Sequence, residues 1–462
     1  MALILTLGEL QFACGKVARF VGDHAQLRQR PAGLSTDSRQ CPAARDEIFV
    51  ALRGEKFDGH QFVRQVFAAG ALAAVVEKKW FESQTSENGN FIVVEDTLLA
   101  LQQIGQTIRR RWGKTVIAIT GSNGKTTTKE MVASVLAQKK IVLKTTGNLN
   151  NHIGVPLTLA ELQHGHDIAV IEMGMNHDGE IARLCEIAAP NWGLITNVGR
   201  AHIEFFKTLD RIAVAKGELF EYLHDRDGIA FLNTDDPKLK TVLPSGTKAI
   251  SYGLNHPAQV QGKIAGIDEQ GCATLTWKNQ TIPLAIPGAH NAINALAALA
   301  VGEYAGVAPE KIRAALSNTL PLAKRMQIIK RGAVTIINDA YNANPESMAA
   351  ALEFLAVLPL PSGGHRIAVL GDMLELGEAA AAAHEEIGAL LARLPIHAVF
   401  AYGPQAKHIV QAVGETKWAE HFEDKSRLSA EVSRSIRPGD VILLKGSRGM
   451  AMEEVIEKLP VV

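Results

Sequence analysis

Short apolar runs recur along the chain, and their spacing predicts its elements. The first hundred residues hold runs at 48–52, 73–76 and 91–94, and the polar stretch 82–90 reads as a loop. Residues 97–111 predict a helix ending in Arg109, Arg110 and Arg111, where cations meet the negative end of the helix dipole. Beyond Lys114, runs at 116–120, 168–171, 193–196 and 228–232 alternate with helical stretches, the first of them at 129–139. These runs are apolar at successive positions, the pattern of parallel strands covered on both faces. Between about 251 and 287 the spacing shortens to that of β hairpins, and 291–305 predicts a helix. A second strand–helix series starts near Pro321, with runs at 334–337, 367–370, 398–401 and 441–444, a loop at 359–364 and an Ala-rich helix at 379–383. The fold class is α/β.

A length of 462 residues corresponds to about three domains. Lys+Arg and Asp+Glu both number 48, so the formal net charge is zero and gives no support to nucleic-acid or membrane-surface binding. Cys14, Cys41, Cys185 and Cys272 form no CxxC pair, which excludes a zinc ribbon or dense disulfide framework and suits a reducing, cytoplasmic setting. The N-terminal apolar patch has no basic leader and is broken by Glu9, unlike a signal peptide. No apolar run approaches the roughly 18 residues of a membrane span. Nothing in the sequence requires more than a monomer.

The strongest chemical signal is Thr120-Gly121-Ser122-Asn123-Gly124-Lys125-Thr126-Thr127-Thr128, between a predicted strand and a predicted helix. Glycines let backbone N–H groups approach phosphate oxygens, the helix N-terminus favours anions, and Lys125 adds a point charge. Thr126 follows the lysine, where a hydroxyl can ligate magnesium. The spacing is Gly-x-x-Gly-Lys-Thr, with Ile119 at the position of the usual first glycine. Glu172 ends the run 168–171 and can hold magnesium beside this loop, because carboxyl ends of parallel strands line the ligand crevice. His202 follows the next strand and can face the same crevice. Lys216, on a helix, reads by itself as a solvated surface lysine. Asn291 and Asn294 flank a helix start, where asparagine caps, and amides also pair with adenine edges. Segments 338–345, 371–377 and 445–449 each follow a predicted strand, so they should crowd one sheet edge and bind jointly.

In this order the motifs at 121–127, Ile-Glu172-Met-Gly, Ala-His202, Lys216-Gly-Glu, His290-Asn-x-x-Asn, Arg325-Met and 338–345 resemble those of the Mur ligases, ATP-dependent amide-forming enzymes of peptidoglycan assembly. The resemblance spans nearly the whole chain, down to Ser35-Thr36-Asp37-Ser38-Arg39 and Asp58-Gly59-His60. Segments 339–345 and 372–378 are similar to the member that adds D-alanyl-D-alanine, and the Asp-Asn-Pro-Arg of the diaminopimelate-adding member is absent. Residues 40–47 depart from the family's Gly-Asp-Leu-Phe wording.

The resemblance implies three domains. Residues 1–110 would bind the UDP substrate, 111–320 would form a central parallel-sheet P-loop ATPase domain, and 321–462 a Rossmann-like domain for the incoming dipeptide. It implies ATP on Gly121, Ser122, Asn123, Gly124, Lys125, Thr126 and Thr127, with Asn291 and Asn294 facing adenine, Asp339 the ribose and Arg325 the phosphates. One magnesium would sit on Thr126 and Glu172 and a second on His202 and Lys216, with Lys216 carbamylated. UDP-muramoyl-tripeptide would meet Ser35, Thr36, Asp37, Ser38 and Arg39 and an asparagine among Asn148, Asn150 and Asn151. D-alanyl-D-alanine would meet Tyr341, Asn344, Lys445, Ser447 and Arg448. Lys125, Glu172, His202, Lys216 and Arg325 would carry catalysis, and the C-terminal domain would close about a hinge near 320–324. Folylpolyglutamate synthases share the ATP fold but lack the Ser-Thr-Asp-Ser-Arg module. A nucleotide switch without ligase activity would not need a full set of metal ligands.

Overall fold

The structure is a computed structural model and describes residues 2–39, 45–84 and 88–461. Cys41 and most of the segment that departs from the family wording lie outside the described residues, as do 85–87 of the expected loop.

Three sheets follow one another along the chain. The first runs β1 (Arg19–Val21), β2 (Leu34–Ser35), β3 (Ile48–Val50), β4 (Ala73–Glu77) and β5 (Phe91–Val94), in the order β1-β5-β4-β3-β2, and only β1 is antiparallel to its neighbour. The second holds β6 (Thr115–Thr120), β7 (Val142–Lys144), β8 (Ile168–Glu172), β9 (Trp192–Ile195), β10 (Ile229–Asn233), β11 (Lys248–Gly253), β12 (Val260–Ile267), β13 (Cys272–Trp277) and β14 (Gln280–Pro287). Their order is β14-β13-β12-β11-β10-β9-β6-β8-β7. The expected hairpins are the antiparallel β12–β14 meander, which extends the parallel sheet through β11. The third sheet holds β15 (Gln327–Arg331), β16 (Val334–Asp339), β17 (Arg366–Gly371), β18 (Ala398–Tyr402), β19 (Trp418–Phe422) and β20 (Val441–Lys445), in the order β15-β16-β20-β17-β18-β19, parallel except at the β15 edge.

The successive apolar residues do what that pattern requires. In β6, Val116 and Ala118 enter one buried cluster while Ile117 and Ile119 enter the cluster on the opposite face. In β20, Leu443 and Leu444 likewise split between two clusters. Each fully buried aliphatic side chain of this kind contributes about 1.5–3 kcal/mol. The helix Thr97–Trp112 ties the first sheet to the second: its Leu101, Ile104 and Ile108 share a cluster with Ile48, Val75, Val155 and Leu184.

Arg109 is not a simple C-terminal surface cation. It is buried, and its guanidinium donates to the carbonyls of Ala188 and Ala189 at 2.8 and 2.9 Å and to Asn191 Oδ1 at 3.0 Å, so it caps the end of a different helix, Glu180–Ala188. Among the described residues, no helix is long and apolar enough to cross a membrane.

Candidate active site

The chain leaves β6 with β8 on one side and β9 on the other, so the carboxyl ends of these strands open a crevice at a switch in strand order. Residues 121–124 fill the turn. Gly121 has a φ of 147°, and a Cβ there would overlap Thr196 Oγ1, so glycine is required. Gly124 at φ 78° starts the helix Lys125–Leu136. That start comes four residues before the sequence pattern placed it, because polar Lys125–Thr128 hide the first turn.

The end of β9 braces the loop. Asn197 accepts from the backbone N–H of Asn123 at 3.0 Å and donates to the Asn123 carbonyl at 3.1 Å, and Thr196 Oγ1 donates to that carbonyl at 2.6 Å. Asn197 carries no role in the sequence reading; its place directly after the apolar run 193–196, at a strand end, was the available signal.

Glu172 lies at the centre. Thr126 Oγ1 donates to its Oε1 at 3.2 Å, Asn150 Nδ2 donates to the same oxygen at 2.9 Å, and the backbone N–H of Glu172 donates to Thr145 Oγ1 at 2.9 Å. Its Oε2 is buried without a hydrogen-bond partner. An orphaned carboxylate oxygen beside a threonine hydroxyl suits a bound cation. Lys125 Nζ donates to the Gly121 carbonyl at 2.7 Å. Desolvation lowers the Lys125 pKa, the Glu172 carboxylate raises it and Arg325 lowers it, and the net displacement is downward.

Lys216 overturns its bland reading. It is 1% exposed, on the inner face of Leu209–His224, and forms no ion pair among the described residues. Burial, with repulsion from Lys125 added, pushes its ammonium pKa well below the ordinary value. His202 faces the cleft from the β9 loop. Its Nδ1 is 2.5 Å from Glu375 Oε2, and this close contact holds the Glu375 carboxyl below its usual range.

Across the cleft stands the edge formed by β16, β17 and β20. Lys445 Nζ donates to Asp339 Oδ2 at 2.6 Å and to the Asn342 carbonyl at 3.0 Å. Ser447 accepts from Leu374 N at 2.8 Å, and its own N–H donates to the Asp372 carbonyl at 3.0 Å, so the three strand-end segments do meet. Arg325 sits between Lys324 and Met326, whose φ values of 61° and 50° are both left-handed. Its guanidinium stacks 3.8 Å from the centre of the Tyr341 ring and donates to Thr126 Oγ1 at 3.0 Å. Arg448 lies 5.4 Å from the same ring. Asn344 caps the helix Pro345–Val357 and donates to Asn123 Oδ1 at 2.8 Å.

These groups border one cleft of about 1230 Å³, lined by Ser122, Asn123, Gly124, Lys125, Thr126, Thr127, Asn148, Asn150, Asn151, Glu172, His202, Asn291, Asn294, Arg325, Asp339, Tyr341, Asn344, Lys445, Ser447 and Arg448. Lys216 is buried and does not reach the cleft lining. Asn291 and Asn294 have their amides engaged: Asn294 Nδ2 donates to Asn291 Oδ1 at 2.9 Å, and Asn291 Nδ2 donates to the Pro287 carbonyl at 2.7 Å. Asn151 accepts from the N–H groups of Ile153 and Gly154. Ser35, Thr36, Asp37, Ser38 and Arg39 lie apart, at the edge of the first sheet beyond this lining, with Arg39 bridged to Asp37 at 2.8 Å.

Two family models match: "Mur ligase middle domain" over residues 119–302 and "Mur ligase, glutamate ligase domain" over 324–448. The chain is 39% identical over 431 residues to UDP-N-acetylmuramoyl-tripeptide–D-alanyl-D-alanine ligase of Bacillus subtilis, covering 92% of this chain and 93% of that protein. It is 37% identical over 435 residues to the enzyme of the same name from Escherichia coli, with 92% and 93% covered. Among solved structures, MurF from Acinetobacter baumannii superposes with a TM-score of 0.87 at 32% identity over 99% of both chains. MurF ligase from Thermotoga maritima in complex with ADP gives a TM-score of 0.79 at 30% identity, over 92% of this chain and 96% of that one.

Proposed function

The chain belongs to the Mur ligase family, and from that premise we propose that it joins D-alanyl-D-alanine to a UDP-N-acetylmuramoyl-tripeptide with conversion of ATP to ADP and phosphate. The product is a peptidoglycan precursor, and the place of action is the cytoplasm. The observation that carries the reading is the setting of Glu172: a buried carboxylate with one free oxygen, flanked by the phosphate loop and by Asn150, and facing the strand-end edge of the third sheet.

A carboxylate reacts poorly with amines because its oxygen is a poor leaving group. Transfer of the ATP γ-phosphoryl group gives an acyl phosphate. The dipeptide amine then adds to its carbonyl, and phosphate leaves. Both steps bring anions together, so the work of the protein is positioning and charge neutralisation. Lys125 and the loop N–H groups hold the triphosphate, and Arg325, aimed by its stack on Tyr341, reaches the same phosphates from the other side. Asp339 takes the ribose, and Asn291 and Asn294 border the adenine.

Thr126 and Glu172 are the residues that would hold one magnesium ion, and His202 at the lining would share a second with Lys216 only if Lys216, buried behind the lining, carries a carbamate that extends its reach. Such ions, when bound, neutralise phosphate charge and orient the reacting oxygens. An ammonium at Lys216 would repel a cation, whereas a carbamate there is an anionic oxygen ligand. Formation of the carbamate needs a neutral amine, which the depressed pKa favours.

In this reading residues 1–110 take the UDP moiety through Ser35–Arg39, 111–320 the ATP, and 321–462 the dipeptide through Tyr341, Asn344, Lys445, Ser447 and Arg448. Asn148, Asn150 and Asn151 take the muramoyl end. The test is phosphate release with product mass. Release should require ATP, UDP-muramoyl-tripeptide and D-alanyl-D-alanine together, with a product heavier by one dipeptide less water. Phosphate release indifferent to the dipeptide would refute the reading.

A further inference from the structure

Arg200 lies two residues before His202 and just outside the cleft lining, yet it makes three hydrogen bonds from the central sheet's unit to the third sheet's. Its Nε donates to Glu346 Oε1 at 2.8 Å, its backbone N–H to Glu346 Oε2 at 3.1 Å, and its Nη1 to Glu386 Oε2 at 2.7 Å. Glu346 stands in the first turn of Pro345–Val357, directly after the Asn344 cap that touches Asn123. Glu386 belongs to the next helix, Ala380–Arg393. One guanidinium therefore gathers carboxylates from two helices of the third unit.

The other side of Arg200 is fixed to the phosphate loop. Ser122 N donates to the Asn197 carbonyl at 3.0 Å, Ser122 Oγ donates to the Gly199 carbonyl at 2.9 Å, and Gly199 N donates back to Ser122 Oγ at 2.8 Å. The segment 197–200 cannot shift without moving the loop.

We infer that Arg200 is a positioning residue: it latches the third unit onto the phosphate loop and so sets the arrangement in which Arg325 meets Thr126 and Glu375 meets His202. The Arg200 side chain touches Glu346 and Glu386, neither of them proposed to bind substrate, and only its backbone segment is tied to Ser122 of the phosphate loop. It acts on the fraction of molecules that are closed, and the affinity of a ligand read by the closed form scales with that fraction. Arg200 is 28% exposed and its partners are more so, so salt weakens the latch without abolishing it.

The inference rests on the ligase reading for its kinetic arm but not for its structural arm. In small-angle scattering of the full chain, Arg200→Gln should have a larger radius of gyration than the parent, and the parent should expand toward it as ionic strength rises. In steady-state assays Arg200→Gln should raise the KM for D-alanyl-D-alanine about five- to tenfold, with kcat within about twofold and with a loss of ATP affinity as well, because Arg325 and Asp339 reach the nucleotide from the third unit. Glu386→Gln should give a smaller effect in the same direction and add nothing on top of Arg200→Gln. Arg200→Lys, which keeps the charge, should recover part of the loss. A parent-like radius of gyration in Arg200→Gln, or an unchanged KM for the dipeptide, overturns the latch. A parent protein that turns over no dipeptide overturns the ligase reading and leaves the scattering result to judge the latch by itself.

Discussion

Gly121→Ala offers a quantitative test of the phosphate loop. At φ 147° an alanine is strained by about 1–3 kcal/mol wherever it has room. Here it has none, since the added methyl overlaps Thr196 Oγ1. Relief requires movement of the loop or of the end of β9, at a further cost of about 1–3 kcal/mol for an overpacked site. The two together come to roughly 2–6 kcal/mol. With about 2–4 °C per kcal/mol for a unit of this size, the melting transition should fall by roughly 4–24 °C.

Thr196→Ala by itself removes the hydroxyl that donates to the Asn123 carbonyl at 2.6 Å, a loss of about 0.5–1.5 kcal/mol. The double variant no longer contains the overlap with the hydroxyl, so the φ strain, the lost hydrogen bond and tight contacts of 3.1 Å with Thr196 Cβ and N remain. It should therefore be more stable than the sum of the single effects by about 1–3 kcal/mol. Urea unfolding of the four proteins measures this coupling, and nucleotide titration should show weakened ATP binding in Gly121→Ala that the second substitution partly restores. Additivity within about 0.5 kcal/mol would refute the packing argument and mean that the loop relaxes freely.

Glu172→Gln should lower kcat about 10²–10³-fold while leaving the melting temperature unchanged or raised, because it removes a buried charge with one unpartnered oxygen; mass-verified thermal scans check the second half. Lys216→Ala should abolish turnover, and short-chain carboxylic acids should restore part of it by supplying an anionic oxygen in the vacated space; an unimpaired variant ends that assignment. Burial pushes the Cys14 thiol up to about 12 from an ordinary value of 9.0. The folded chain then keeps a proton that the unfolded chain loses, so this site's stabilisation is complete below about pH 9 and declines as pH rises toward 12. Cys14→Ala should flatten the fall of stability across that window, and native Cys14 should resist alkylation near pH 8.

The sequence made the α/β class, the runs that become β6, β8, β9 and β10, and the motif at 120–128 legible, because strand burial on both faces and glycine-rich turns leave local signatures. Other features are long-range. Lys216 looked solvated in its immediate neighbourhood, although it falls on the stripe Ile212, Lys216, Leu219, Phe220 and Leu223, whose spacing places it inward. A lysine on an apolar stripe was the signal to weigh. The destination of Arg109, a helix end some eighty positions away, has no trace in the run Arg109–Arg111. The same holds for Glu375 and Arg200: each partner lies in the other unit, and only the docking of the third sheet against the second reveals it.

Glu172 Oε1 is shared. Thr126 from the phosphate loop and Asn150 from the segment leading away from β7 both donate to it. What occupies the loop and what occupies the segment near Asn150 thus answer to one atom, and their affinities are bound by reciprocity: the factor by which the first occupant tightens or loosens the second must equal the factor running the other way.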